Sequence, residues 1–549
     1  MSFGGELCRW VKMVVFSCTA IVLLLVPAAC KRQSGGQEDI SIKKWKTLSI
    51  GNGREPVTLD PHLAASWADL RVIEGLFEAL VVIDPISGEP IGGVATEWES
   101  WNRGLSWRFM IRDDAKWSDG TALTAHDFVQ SAKRMLNPQF GSDIVVHFLY
   151  PLKNAEAYHA GEIEAFDRVG IVAESSHVLR LELDYSSPAL LTQLSYFFPV
   201  NRSSIEEGRY FDGRIQWGAG GARISNGAFL LEEWVTNERI VLKKNPYYWD
   251  AASVSLDRVE VLPIEDVIAE ERAFRSGQIH VTSKVPAGKV QWYLDNDPDQ
   301  LRLDPRLGLF FLQLNHEVTP LQNVNVRKAL AKSIDREELV RSVLRDGKRG
   351  AHFIVPPDLV GGEWGDSPLS FDVREAQELM ELAGYPGGKG FPKLTFSINT
   401  SVPYQALAEA VQFGWKKHLG IEVEIENQEW KSFLSSVESR DYEIARYGYV
   451  PLYPDAYPLF QIFTSLGTEN FTGWSHSRYD ALVEQAKSEF DTEKRHGLLR
   501  EAEGILLHDA PIIPVFFYNS AYLLNPSVEG WHPDLMDRHP LKFVNIHPH

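Results

Sequence analysis

Apolar and polar positions alternate at Leu105, Trp107, Phe109 and Ile111, the period-two spacing of a strand. The same alternation sets Tyr442, Ile444 and Arg446 against Glu443, Ala445 and Tyr447. Further strands are expected from Leu48, over Val81 to Ile83, Val259 to Ile264, Gln278 to Thr282, Leu394 to Ile398 and Ile421 to Ile425. Helical spacing marks Asp69 to Leu80, a segment opening after Thr124 with Asp127 in its first turn, and a segment ending at Arg275-Ser276-Gly277. It recurs at Val326 to Val340, Glu409 to His418, Tyr479 to Gln485 and Glu501 to Leu507. Ser225 to Asp250 reads as an antiparallel hairpin turning at Thr236-Asn237-Glu238. Leu309 to Leu314 is apolar without interruption and predicts a strand buried on both faces; Ile512 to Tyr518 predicts an apolar strand returning the chain to its first lobe. Strands and helices that alternate in this way build α/β lobes, and no stretch has the composition of a long linker, so the lobes are expected to interleave.

One stretch breaks its own pattern. From Trp430 to Phe460 a helical opening leads into the strand at 442–447, and beyond Gly448 the residues Pro451, Pro454 and Pro458 remove backbone donors. Such a segment suits a sheet edge whose hydrogen bonds are met by something outside the parent sheet. Five tyrosines, at 442, 447, 449, 453 and 457, crowd into it. On these residues alone it is either an aromatic loop packed on a core or a loop lining a ligand.

The N-terminus changes the picture of where the chain works. Arg9 and Lys12 precede the apolar run Val14 to Val26 and the small-residue sequence Pro27-Ala28-Ala29-Cys30, the layout of an export signal, and the run is short for a membrane span. The sequence ending at Cys30 resembles a bacterial lipoprotein cleavage site, with Pro27 where that motif usually has leucine; the resemblance implies cleavage before Cys30 and lipid attachment there, with the polar Lys31 to Asp39 as a tether. All three cysteines (8, 18 and 30) lie in this region, so the body carries neither a disulfide nor a cysteine-ligated metal. Without the first 29 residues the chain has 53 Lys and Arg against 73 Asp and Glu, a net charge of −20 compared with −19 for the whole. That balance, with no basic stripe, excludes nucleic acid as a partner.

Candidate chemistry is thin. His62 sits in the turn Leu59-Asp60-Pro61-His62 with no second ligand at metal spacing, and reads as a turn residue bonded to its neighbours. His316-Glu317 lacks the second histidine of a zinc motif, no Gly-x-Ser-x-Gly elbow occurs, and Ala383 to Pro392 lacks the glycine spacing of a phosphate loop. Asp119-Gly120 reads as a tight turn. Scattered Asp and His can still meet in space, so a secreted hydrolase stays the competing class.

Four stretches carry a resemblance: Lys116-Trp117-Ser118-Asp119-Gly120 within residues 95–128, the hairpin at 225–250, Val326 to Leu330 with Asp335 to Val340, and Asn427 to Phe460. Together they are similar to the bacterial oligopeptide-binding proteins, family-5 solute-binding components of peptide import ATPases. The resemblance implies an α/β fold of the periplasmic-binding-protein type II, with two lobes, three interleaved domains and a hinge cleft. The expected divisions are a signal peptide at 1–29, a lipid-attachment cysteine and tether at 30–46, lobe I at 47–66, 191–303 and 519–549, an additional domain II at 67–190, and lobe III at 304–518. Hinge segments are expected near Leu301 to Leu309 and Tyr518 to Leu523. The implied protein is a monomeric receptor on the outer face of a cell membrane that hands a peptide to permease subunits of an ABC importer, without cofactor or catalytic residue. The ligand is expected against Trp430, Tyr404, Arg446, Tyr449, Val450, Leu452 and Asp455, with the backbone from Arg446 to Pro451 as pairing edge. One departure stands out: relatives carry an aspartate for the peptide ammonium immediately before a tyrosine, where this chain has Leu452 before Tyr453, and Tyr404 stands where the best-matching relatives have a histidine. The resemblance leaves open a receptor for another extended solute, such as an oligosaccharide or a metal chelate.

Overall fold

A computed structural model describes residues 46–547 except 143, 203–209, 212–213, 216–223 and 363, with the backbone alone at 210, 211, 214 and 215. The export signal, Cys30 and the tether lie outside the described residues. The described residues form one compact unit built on three main sheets.

The first sheet has four strands. Thr47–Gly51 pairs in parallel with Arg258–Leu262, which continues antiparallel to Arg239–Lys244 and then Phe229–Val235. The last two are the expected hairpin, with Asn237 taking a positive φ of 59° at its turn. Helix Trp67–Leu76, capped by a reciprocal Ser66 and Asp69 pair, buries Val72, Ile73 and Leu76 in this core, although it follows the expected division at residue 67. It ends at Leu76, short of the expected Leu80, where Phe77 turns to extended backbone.

The second sheet is wholly antiparallel, in the order Ala95–Trp101, Ser106–Ile111, Val178–Glu182, Ile171–Ser175. Helix Ala125–Met135, opened by the capping box of Thr124 and Asp127, covers it with Phe128, Ala132 and Met135. Gly120 has φ 86°, the tight turn that its sequence implies.

His62 does more than bond within its turn. Arg134 of this helix forms an ion pair with Asp60 at 2.5 Å and donates to His62 Nδ1 at 2.8 Å, while His62 Nε2 meets the Phe198 carbonyl at 2.9 Å. Since an arginine can only donate, Nδ1 accepts and the ring proton sits on Nε2. Burial, followed by the arginine charge, pushes the imidazole down to about 4. The cluster fastens the first core to the second.

The third sheet has six strands, in the order Arg349–Gly350, Ile512–Leu523, Leu301–Leu314, Ile444–Tyr449, Leu394–Asn399, Val423–Gln428. Leu309 to Leu314 are buried throughout, as a strand between two others must be. Two expectations fail. Val326 to Val340 is not one helix: Val324–Lys332 stops, and the Asp335 side chain caps a new turn by accepting from Glu338 N at 3.0 Å. The buried Arg336 guanidinium holds that break by donating to the carbonyls of Pro514, Ala331, Ile334 and Leu369. Gln278 to Thr282 is not a strand either, since Val281 alone bridges Ile50 and Leu524. Among the described residues no helix is long and apolar enough to cross a membrane.

Candidate functional site

Strand Ile444–Tyr449 is paired along its whole length on one side, from Leu314 opposite Ile444 to Leu309 opposite Tyr449. On its other side only Ile444 and Ala445 meet a neighbour, Phe396 and Ser397. That neighbour ends at Asn399, where the chain turns into helix Val402–Leu419. From Arg446 onward the strand therefore presents an edge with no partner strand among the described residues. Antiparallel pairing uses the main-chain groups of alternate residues, so the other groups of Arg446 to Tyr449 face that open edge.

Arg446 occupies the start of the edge. Its side chain is buried beneath three rings, with the guanidinium carbon 4.7 Å from the Phe433 centroid, 4.8 Å from Tyr404 and 5.2 Å from Trp430. It donates to Asn399 Oδ1, a neutral acceptor, and its buried Nε has no hydrogen-bond partner. No carboxylate lies within ion-pairing distance among the described residues. Burial lowers the guanidinium's pKa, opposed only by the phenols of Tyr404, Tyr518 and Tyr447. A buried guanidinium without a carboxylate partner among the described residues can pair with an anionic group.

The surrounding rings are held from behind. Tyr404 stacks on Phe310 at 5.2 Å, and Phe310 on Phe516 at 4.6 Å, so the wall of the site is continuous with the third core. Trp430 opens helix Trp430–Glu438, stacks on Phe433 at 6.2 Å and remains 47% exposed. Tyr449 closes the strand; burial raises its phenol, with Glu469 adding to the effect. Val450 lies against Gly308, and Leu452 and Tyr453 pack on the core of the second sheet. Asp455 is fully engaged: Arg495 donates to both oxygens at 2.7 and 2.8 Å, and Tyr457 N donates to Oδ1 at 2.7 Å. Its contacts shape the loop and leave it no free charge for a ligand ammonium.

The structure thus brings together Tyr404, Trp430 and Arg446, with Tyr449 and Val450 farther along the same edge, and it separates Asp455 from them by its own ion pair. Asn399, Phe433 and Tyr518 belong to the same surroundings and had no sequence signal beyond residue type. His316 is half-buried, with its imidazole pushed down to about 4 by desolvation and then by Arg327.

A model of the family described as bacterial extracellular solute-binding proteins, family 5 Middle, matches residues 89–471. The chain belongs to this family. Its relatives include the periplasmic murein peptide-binding protein MppA of Escherichia coli, 34% identical over 485 residues and covering 87% of this chain and 88% of that one. The periplasmic oligopeptide-binding protein OppA of Salmonella typhimurium is 33% identical over 522 residues, with 93% and 94% covered. Among solved structures, the unliganded open form of MppA matches with a TM-score of 0.81 at 33% identity, over 92% of this chain and 98% of that one. The two-lobed fold of the family 5 proteins is therefore the fold of this chain.

Proposed function

We propose that this family 5 protein is the receptor of a peptide-importing ABC transporter and that its ligand adds to the third sheet along Arg446 to Pro451. The observation that supports the reading is the strand whose pairing stops at Ala445, with an uncompensated arginine at the first unpaired residue. Main-chain groups of an extended ligand complete the ladder, and side chains then project to alternate faces without being individually selected. Arg446 takes a carboxylate, Trp430 and Tyr404 flank it, and Tyr449 and Val450 continue the pairing. The protein works outside the cytoplasm, held to a membrane by lipid on Cys30, as a monomer that delivers its cargo to permease subunits and performs no chemistry on it.

Leu452 narrows the ligand. The end of the edge opposite Arg446 offers Leu452 and Tyr453, both packed on the second core, while Asp455 is committed to Arg495. An ammonium enclosed there loses its hydration and gains no counter-charge, a cost of several kcal/mol. The ligand is accordingly one whose end at this site is neutral or bulky, such as an N-blocked or cell-wall-derived peptide. Native mass spectrometry of protein purified from its own envelope identifies the cargo, and calorimetry compares trialanine with its N-acetylated form. Micromolar or tighter binding of tri- to pentapeptides with free amino termini would defeat the neutral-end reading. Leu452→Asp should raise affinity for such peptides; no gain would mean that another acid already serves.

A further inference from the structure

Strand Leu301–Leu314 is uncovered at one point along its length. Its ladder with Ile444–Tyr449 begins only at Leu309, opposite Tyr449, and its ladder with Ile512–Leu523 passes from Pro305 opposite Asn519 to Leu309 opposite Phe517. Arg306, Leu307 and Gly308 therefore have no residue in register with them on either side among the described residues, and they lie just past the end of the open edge. Gly308 marks the junction. Its φ is 147°, and a β-carbon there would come within 2.9 Å of Val450 Cγ2.

The Arg306 side chain is poorly matched by its own surroundings. Its guanidinium carbon lies 4.9 Å from the Trp67 ring centroid, and its buried Nε has no hydrogen-bond partner. No carboxylate stands within ion-pairing distance of it among the described residues. Burial lowers its pKa; the charge of Asp537 opposes this, and that of Arg71 adds to it. Asp537 is already engaged, since it meets Arg71 Nη2 at 3.5 Å and His539 Nε2 at 3.5 Å. The one carboxylate that bears on Arg306 is thus held by other groups. Tyr518 connects this cation with the first: its phenol lies in the field of both Arg446 and Arg306 and within hydrogen-bonding reach of Tyr404, whose ring covers Arg446. Along the strand, Arg446 stands opposite Leu312, six positions from Arg306. At roughly 3.3 Å per extended residue the two backbones are about 20 Å apart, a gap that two long side chains shorten.

We propose that Arg306 binds a second carboxylate, in the part of the ligand that runs past Val450, and that the cargo is an extended solute with one carboxylate at Arg446 and another at Arg306. A guanidinium repels an ammonium and meets a carboxylate with a planar fork of donors, and an aromatic face such as that of Trp67 holds the plane of the fork. Leu452, at the same exit, offers no charge, and Asp455 is held by Arg495, so the charge that Arg306 presents to the ligand there is positive. The inference rests on the proposed function for the ligand's place along the edge, and of the neutral or bulky ends which that reading allows it selects a bulky, acidic one.

Calorimetry on the full chain, freed of cargo, compares succinyl-trialanine, with a carboxylate at each end, with acetyl-trialanine, which keeps only the C-terminal one. The succinyl peptide should bind at least about ten-fold more tightly. Arg306→Gln should abolish that preference, and Arg306→Lys, which retains the charge, should keep part of it. Equal binding of the two peptides by the parent overturns the proposal, as does a preference that survives Arg306→Gln, or Arg306→Lys behaving like Arg306→Gln. Should neither peptide bind, the Tm of parent and Arg306→Gln is compared in sodium succinate and in sodium chloride of equal ionic strength. A larger rise in succinate for the parent than for the variant would sustain the carboxylate site and count against the peptide reading; equal rises would overturn both.

Discussion

Replacing Glu503 by glutamine removes a charge that the fold resists while keeping the acceptor that the fold uses. Glu503 is 3% exposed on helix Thr492–Asp509, and its Oε1 accepts from Ile354 N at 2.8 Å and Val355 N at 3.2 Å. Burial pushes its carboxyl from 4.5 up to about 7, against those two bonds, and no cation contributes. The folded chain therefore holds a proton that the unfolded chain releases. Stability from this group is fully present below pH 4.5, falls as the pH rises through about 7, and is level above it. At roughly 1.4 kcal/mol per unit the loss is about 3 kcal/mol. Glutamine does not titrate, so Glu503→Gln should match the parent near the bottom of this window and exceed it by about 3 kcal/mol above the top. For 549 residues unfolding in one step, an entropy of roughly 2.1 cal/mol/K per residue converts this to about 3 °C in Tm. Calorimetric scans of both proteins across the window supply the test. A difference in Tm that does not change with pH, whatever its sign, refutes the reasoning, because lost packing has no reason to titrate.

Arg446→Ala should weaken carboxylate-bearing ligands by roughly 1–3 kcal/mol, short peptides more than long ones, and equal losses in calorimetry would count against the anchor. Asp60→Asn removes the carboxylate that pairs with the buried Arg134 and should cost about 3–5 kcal/mol in denaturant unfolding; a change well under 1 kcal/mol would mean that water reaches the pair. Cys30→Ser should move the protein from the membrane fraction to the soluble one, and unchanged partitioning would exclude lipid attachment at that residue.

Elements whose order is written in neighbouring residues were legible in the sequence. The hairpin at 229–244, the capping box of Thr124 and Asp127, and the doubly buried run Leu309 to Leu314 each follow from local spacing. The break after Lys332 was not legible, because apolar spacing continues across it and the cause is the Arg336 side chain reaching carbonyls as far away as Pro514. Asp69 to Leu80 ran too long for a related reason: the apolar pattern persists while the backbone has already turned at Phe77. At the site, the strand and its proline-rich exit could be read directly, but Arg446 acquires its meaning from Asn399, Tyr404, Phe433 and Tyr518, which no local period connects. Asp455 shows the converse: the resemblance places it among the residues facing the ligand, and Arg495, forty positions on, holds both of its oxygens.

Beyond Ala445 the strand Ile444–Tyr449 lacks a partner strand on one side among the described residues, and an unfinished ladder has a particular arithmetic. Its pattern of donors and acceptors repeats every two residues, so an incoming strand can slide by two and find the same bonds waiting. Pairing by itself would hold a ligand in several equivalent registers. A single fixed charge at one end removes that degeneracy, because only one register sets a carboxylate against Arg446. Ligands of different length would then share an origin at Arg446 and differ in how far they run past Val450, so the receptor would measure its cargo from one end.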